Sequence, residues 1–234
     1  MKRLQNFTFR KMAMTCVMLL LSMSLFAQSH IDLNPSNAKG VQSSNMSMKG
    51  FNATFSINSI EAGNVNTEKG VFSILSFNNS IPSGEAGSPQ LPVIRELLAV
   101  PFGSTPVVTI KNYTTKEYKL SEYGIEKVYP NQPSVRKDIN PEDVEFVYNA
   151  ASYNARSYNE RPIAEVEVLG TMRGIQIGTL QVNPVSYNPS NNTIRVYNDI
   201  EVEVTFNDAD IQLTENTLIN TFSPYFSIVY QQLF

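Results

Sequence analysis

Arg136 and Lys137 stand side by side in the middle of Tyr129–Pro141 (YPNQPSVRKDINP), flanked by prolines at 130, 133 and 141. Proline fixes φ and removes a backbone donor, so this stretch is expected as an extended surface loop with little helix or ladder competing for it. An extended, pre-stiffened loop offering one cationic side chain has an obvious chemistry. It can lie along a protease cleft, place Lys or Arg in an acidic pocket, and bind tightly because little entropy remains to be lost. A basic loop that is simply solvated fits the same residues.

Covalent chemistry has almost no other foothold. The chain has one Cys, one His and no Trp in 234 residues. Cys16 lies in an apolar N-terminal run and His30 just past it, so a Cys nucleophile or His base is nearly unavailable to the body of the chain. No metal site and no cofactor is expected. The acidic stretch Asn207–Asp210 lacks the ligand and glycine spacing of a calcium loop. Gly84–Gly87 (GEAG) is too short for a phosphate cradle. Glu165/Glu167 and Glu201/Glu203 sit at i, i+2 and read as the wet face of strands.

Lys2, Arg3, Arg10 and Lys11 precede the apolar run Met12–Ala27, and this order reads as a secretory signal cut between Ala27 and Gln28. The remainder carries 14 basic against 21 acidic residues, a formal charge of −7. That balance argues against a nucleic-acid or anionic-membrane partner, because counterion release needs a basic stripe. The protein is expected outside the cytoplasm, secreted to the periplasm or outer surface of a bacterium. With no Cys after cleavage it must stand on its own hydrophobic core.

The elements that must carry the loop read as strands. Residues 28–50 form a loose lead-in, rich in Ser, Asn, Lys and Met. Ile200, Val202, Val204 and Phe206 then alternate with Glu201, Glu203 and Thr205 in a strict period of two. Further strands are expected at Phe51–Ile60, Val71–Phe77, Leu91–Val100, Val107–Tyr113, Ala164–Leu169, Gly174–Val182, Val182–Tyr187 and Thr193–Tyr197. Many short strands with turns between them predict an all-β protein, an antiparallel sandwich or jelly-roll-like fold. Phe222, Tyr225, Phe226, Val229, Tyr230, Leu233 and Phe234 follow helical spacing after Ser223-Pro224, so one amphipathic helix is expected at 223–234.

Seven blocks in order carry a family resemblance: Gly84–Val93 (GEAGSPQLPV), Leu98–Val108, Asn140–Asn149 (NPEDVEFVYN), Val168–Ile175, Asn183–Tyr187, Asn198–Val204 and Phe222–Phe226. From about Phe51 to Phe234 the chain resembles the N-terminal propeptide of gingipain-type cysteine endopeptidases, with the lysine-specific branch nearest in pattern. The resemblance implies an inhibitory prodomain, not an enzyme, whose partner is the catalytic domain of a gingipain-like, lysine-specific cysteine protease that it keeps latent and helps to fold. It also implies that a basic residue three positions before the Asn of the Asn-Pro block fills the specificity pocket. That residue is Lys137, within the loop Ser134-Val135-Arg136-Lys137-Asp138, and Arg136 beside it leaves a second register open. The residues up to Phe234 stop short of the family's processing site and Cys/His domain. The expectations are therefore a stand-alone inhibitor, a split gene product or a truncated one. The alternative class is a glycan- or surface-binding sandwich using Tyr148, Tyr153 and Tyr158, which recur every five residues.

Overall fold

The long strand Thr193–Asn207 organises the molecule. Its even-numbered residues from Ile194 to Phe206 are all buried, while most of the odd ones are half-exposed. In this computed structural model, residues 29–36, 40–140 and 144–227 are described. Among them are twelve strands: β1 Ser29–Asp32, β2 Val41–Ser47, β3 Gly50–Phe55, β4 Ser59–Thr67, β5 Gly70–Ser76, β6 Ile81–Ser83, β7 Leu91–Val100, β8 Thr105–Lys119, β9 Ala164–Met172, β10 Ile175–Val182, β11 Val185–Asn188 and β12 Thr193–Asn207. There are two α-helices, α1 Ala150–Tyr153 and α2 Ile211–Thr221, and short 3-10 turns at Leu120–Tyr123 and Pro224–Phe226.

The strands form three antiparallel sheets, ordered β1-β4-β5, β6-β7-β10-β9 and β11-β12-β3-β2, with β8 along the other edge of β12. β12 is long enough to be shared on one side by β11, through residues 193–196, and β3, through 200–205. Inward residues of all three sheets, including Ile60 and Leu75, Leu98 and Leu180, Ile194 and Val204, belong to one hydrophobic cluster. This is the expected all-β antiparallel, sandwich-like architecture with a helix near the C-terminus.

The differences from the sequence reading have local causes. The segments 193–197 and 200–206 are one strand, because Asn198-Asp199 makes a bulge (Asp199 at φ +47°) that interrupts the ladder without turning it. Asn198 points inward, where its amide accepts from Ile57 N–H at 2.9 Å and donates to the Ile57 carbonyl at 2.8 Å. The expected strand 182–187 breaks at Asn183-Pro184, since Pro has no donor for the ladder. Phe51–Ile60 likewise divides into the end of β3 and the start of β4. Residues 29–32 and 41–47 of the expected lead-in are strands, and Ile31 of β1 is fully buried against β4.

The helix stands at Ile211–Thr221, upstream of the span 223–234. Asp210, weighed above among calcium ligands, is its N-cap, its carboxylate accepting from Leu213 N–H at 2.8 Å. Pro224–Phe226 is a 3-10 turn; the rest of the expected helix beyond Ser227, the signal segment and the Ala27/Gln28 cut lie outside the described residues.

Candidate functional site

The proline-rich loop is mounted on a backbone seam. Lys127 to Asn131 runs extended between the middle of β5 and the Gly84–Val93 block. Ser73 N–H donates to the Lys127 carbonyl and Tyr129 N–H to the Ser73 carbonyl, each at 2.8 Å. On the other side Gln90 N–H donates to the Tyr129 carbonyl, Asn131 N–H to that of Ser88 and Gly87 N–H to that of Asn131. The returning arm closes the seam, with Asn149 N–H donating to the Gly87 carbonyl at 2.9 Å. Gly87 is required twice over. Its φ is +78°, and a Cβ there would stand 2.9 Å from Asn149 N.

Gln132 then ties the two arms together. Its amide donates to the Val147 carbonyl at 3.0 Å and accepts from Val147 N–H at 2.9 Å, imitating a strand partner where no strand exists. Beneath this clamp sits an aromatic cluster. Phe72 of β5, 4% exposed, has Tyr129, Phe146, Tyr148 and Tyr153 around it with ring centroids at 5.9–6.4 Å. Tyr148 stacks on Tyr153 at 4.6 Å, and the Tyr153 hydroxyl donates to the Val128 carbonyl at 2.5 Å. Burial pushes the Tyr153 phenol well above its ordinary range. Asn149 caps α1 by accepting from Ala151 and Ser152 N–H, which presents Tyr153 to the cluster.

Above the clamp the loop is open. Residues 133–140 are all exposed and lie in no strand or helix. A turn spans Arg136 to Ile139, closed by Ile139 N–H donating to the Arg136 carbonyl at 3.2 Å. Arg136 is engaged within the loop: its guanidinium grips Asp138 with both forks, Nε to Oδ1 at 3.0 Å and Nη2 to Oδ2 at 2.6 Å. Lys137, between them, has no hydrogen bond or ion pair among the described residues. Ser134 and Val135 lead into the turn, with Val135 44% exposed.

The tyrosines of the alternative reading do not form a platform. Tyr153 is buried, Tyr148 is stacked on it, and the Tyr158 ring lies under the Arg195 guanidinium at 4.0 Å. The period of five had suggested a shared surface; instead the first two rings hold up the loop. The role of Gln132 was not read from sequence, and nothing in its type or spacing marks it. Among the described residues no group of three or more His, Cys, Asp or Glu side chains is placed to hold a metal. No helix among them is long and apolar enough to cross a membrane.

The sequence pattern of the Propeptide_C25 family matches residues 28–225. The chain belongs to this family of gingipain propeptides. Lys-gingipain of Porphyromonas gingivalis is 43% identical over 226 residues, which cover 96% of the chain but 13% of Lys-gingipain. Gingipain R1 of the same organism is 26% identical over 196 residues, 81% of the chain and 18% of the relative. A solved chain, described as structural insight into zymogenic latency of gingipain K from Porphyromonas gingivalis, superposes with a TM-score of 0.73 at 43% identity. It covers 78% of this chain and 100% of that one. A second, from a complex of Porphyromonas gingivalis RgpB pro- and mature domains, has a TM-score of 0.66 at 23% identity, covering 85% and 97%, and speaks to the fold alone. What this Propeptide_C25 chain matches is thus the pro-region of these proteases and not a catalytic domain.

Proposed function

We propose that this chain is the secreted inhibitory prodomain of a gingipain-like, lysine-specific cysteine endopeptidase, holding the catalytic domain latent and assisting its folding. Lys137 enters the S1 pocket as a decoy, with Ser134, Val135, Arg136 and Asp138 lying along the cleft. The observation that carries the choice of residue is the pairing at the loop tip. Arg136 is already held by Asp138, while Lys137 projects from the same turn without a partner. A free ammonium can be transferred to an acidic pocket without first breaking an internal ion pair, and truncating it removes attraction while orphaning the pocket's charge. The mounting below adds preorganisation: Gln132 and the aromatic cluster fix the arms, so little of the loop remains to be ordered on binding. Family membership and the likeness to a propeptide from a zymogen of gingipain K support the class of partner.

The test is competitive inhibition of a lysine-specific gingipain-type enzyme by purified residues 28–234. Lys137→Ala is expected to weaken it at least tenfold, roughly 1.4 kcal/mol. Equal inhibition by the two proteins removes Lys137 from the pocket. An unchanged protein that does not inhibit at all removes the inhibitory reading itself.

A further inference from the structure

The Arg136–Asp138 ion pair closes over the peptide bond of the loop that a lysine-specific protease would cut. Its guanidinium comes from the residue before Lys137 and its carboxylate from the residue after, at 3.0 and 2.6 Å. The pair therefore spans the Lys137–Asp138 bond. The backbone is tied at the same place. Ile139 N–H donates to the Arg136 carbonyl at 3.2 Å, so two backbone groups that flank this bond satisfy each other within a turn.

Exposure alone would make the bond a preferred cutting site. Residues 133–140 are exposed and lie outside any ladder, and Lys137 is the lysine among them. A decoy so placed is short-lived unless its bond is kept out of the geometry that a cleft requires. Clefts that take peptide by strand addition need an extended backbone with its N–H and C=O groups free, and side chains spread to separate pockets. The turn denies the first and the ion pair the second. Both charged side chains are largely exposed, 80% and 64%, so the pair holds nothing but the loop itself.

We propose that Arg136 and Asp138 form a clasp that shields the Lys137–Asp138 bond from hydrolysis, so that the loop inhibits and is not consumed. The inference rests on the reading of Lys137 as the pocket residue. With the clasp closed, Lys137 enters an acidic pocket while the bond that follows it stays in a turn. With the clasp open, the loop extends and water cleaves the bond, leaving a carboxylate on Lys137 and an amine on Asp138. The two charged side chains are positioning groups, since neither gives an atom to the bond that breaks. Cleavage of a segment that opens and closes quickly follows the population of its open form. An exposed bidentate pair lowers that population by up to about fivefold.

The experiment follows cleavage after Lys137 by mass spectrometry, on residues 28–234 with an unrelated endopeptidase that cuts after lysine. Arg136→Gln and Asp138→Asn are each expected to be cut about three- to fivefold faster than the unchanged protein. Cleavage after the exposed Lys69, between β4 and β5, is the internal control and should not change. The reversed pair, Arg136→Asp with Asp138→Arg, should restore the slow rate. Added salt should speed cutting of the unchanged protein more than of Arg136→Gln. Equal rates in all these proteins overturn the proposal. So does faster cutting in Asp138→Asn alone, which would make the carboxylate's own charge, and not the pair, what the protease avoids. Inhibition of a lysine-specific gingipain-type enzyme is read on the same samples. An unchanged protein that shows the expected rates but never inhibits would remove the prodomain reading and still support the clasp.

Discussion

The Gln132 side chain faces the Val147 backbone as a strand would, taking its N–H and giving one to its carbonyl. The pairing joins the two arms directly below the exposed turn bearing Arg136 and Lys137. It places the geometry of the loop under the control of a residue five positions away from Lys137. Gln132→Leu leaves both Val147 groups without their partner, at a cost of about 1–3 kcal/mol. Urea denaturation should show that loss. If the inhibitory reading holds, inhibition should weaken with Lys137 itself untouched.

The aromatic pedestal makes a second prediction. Phe72 has four rings around it, and Phe72→Ala is expected to destabilise the domain by about 3–5 kcal/mol as the cluster loses its centre. Proteolysis should then cut first between Pro133 and Asn140, which a stability loss elsewhere in the core would not favour.

Gly87→Ala should act on the same mount through the backbone. The residue would be forced into a left-handed conformation with its methyl against Asn149 N, so a loss of a few kcal/mol is expected in the melting curve. Gly63→Ala, where a methyl meets nothing within 4 Å and φ is not positive, is the control and should be near neutral.

Arg136 and Asp138 predict a change of preference. Both are largely exposed, so breaking their pair should barely alter stability. Asp138→Asn frees the guanidinium. Inhibition of an arginine-specific enzyme is expected to improve by less than about fivefold, the range an exposed pair can supply. Lys137→Arg should shift preference further in the same direction.

Alkaline pH tests the buried tyrosines. Burial raises the phenol of Tyr187, whose hydroxyl donates to Asn192 Oδ1, to about 12. An unfolded tyrosine titrates near 10. The folded state therefore holds the proton more tightly, and its contribution is complete below about pH 10 and is lost as pH rises to 12. Stability should fall across that window by up to about 1.4 kcal/mol per pH unit for this group. Tyr187→Phe should flatten the fall and lower the stability at neutral pH by removing one hydrogen bond.

Alternation along Ile200–Phe206 was enough to specify that strand and its inward face, because a period of two leaves one way to bury Ile, Val and Phe. The prolines around Arg136 and Lys137 foretold an exposed loop for residues 133–140 only; Tyr129–Asn131, expected in the same loop, pair with Ser73 on one side and with the Gly87–Gln90 backbone on the other. Other features were not local. Asn198-Asp199 has the composition of a turn, yet the strand runs on because β8 pairs with it on both sides of the bulge. α2 carries too few apolar residues to announce itself, and its anchors on Phe102 and Gly174 come from distant parts of the chain. Which tyrosines face water was settled by Phe72, more than seventy residues before Tyr148. Most of all, the division between a paired Arg136 and an unpaired Lys137 depends on how one turn folds back on Asp138. Adjacent cations look alike in a sequence; only the three-dimensional path of the turn distinguishes them.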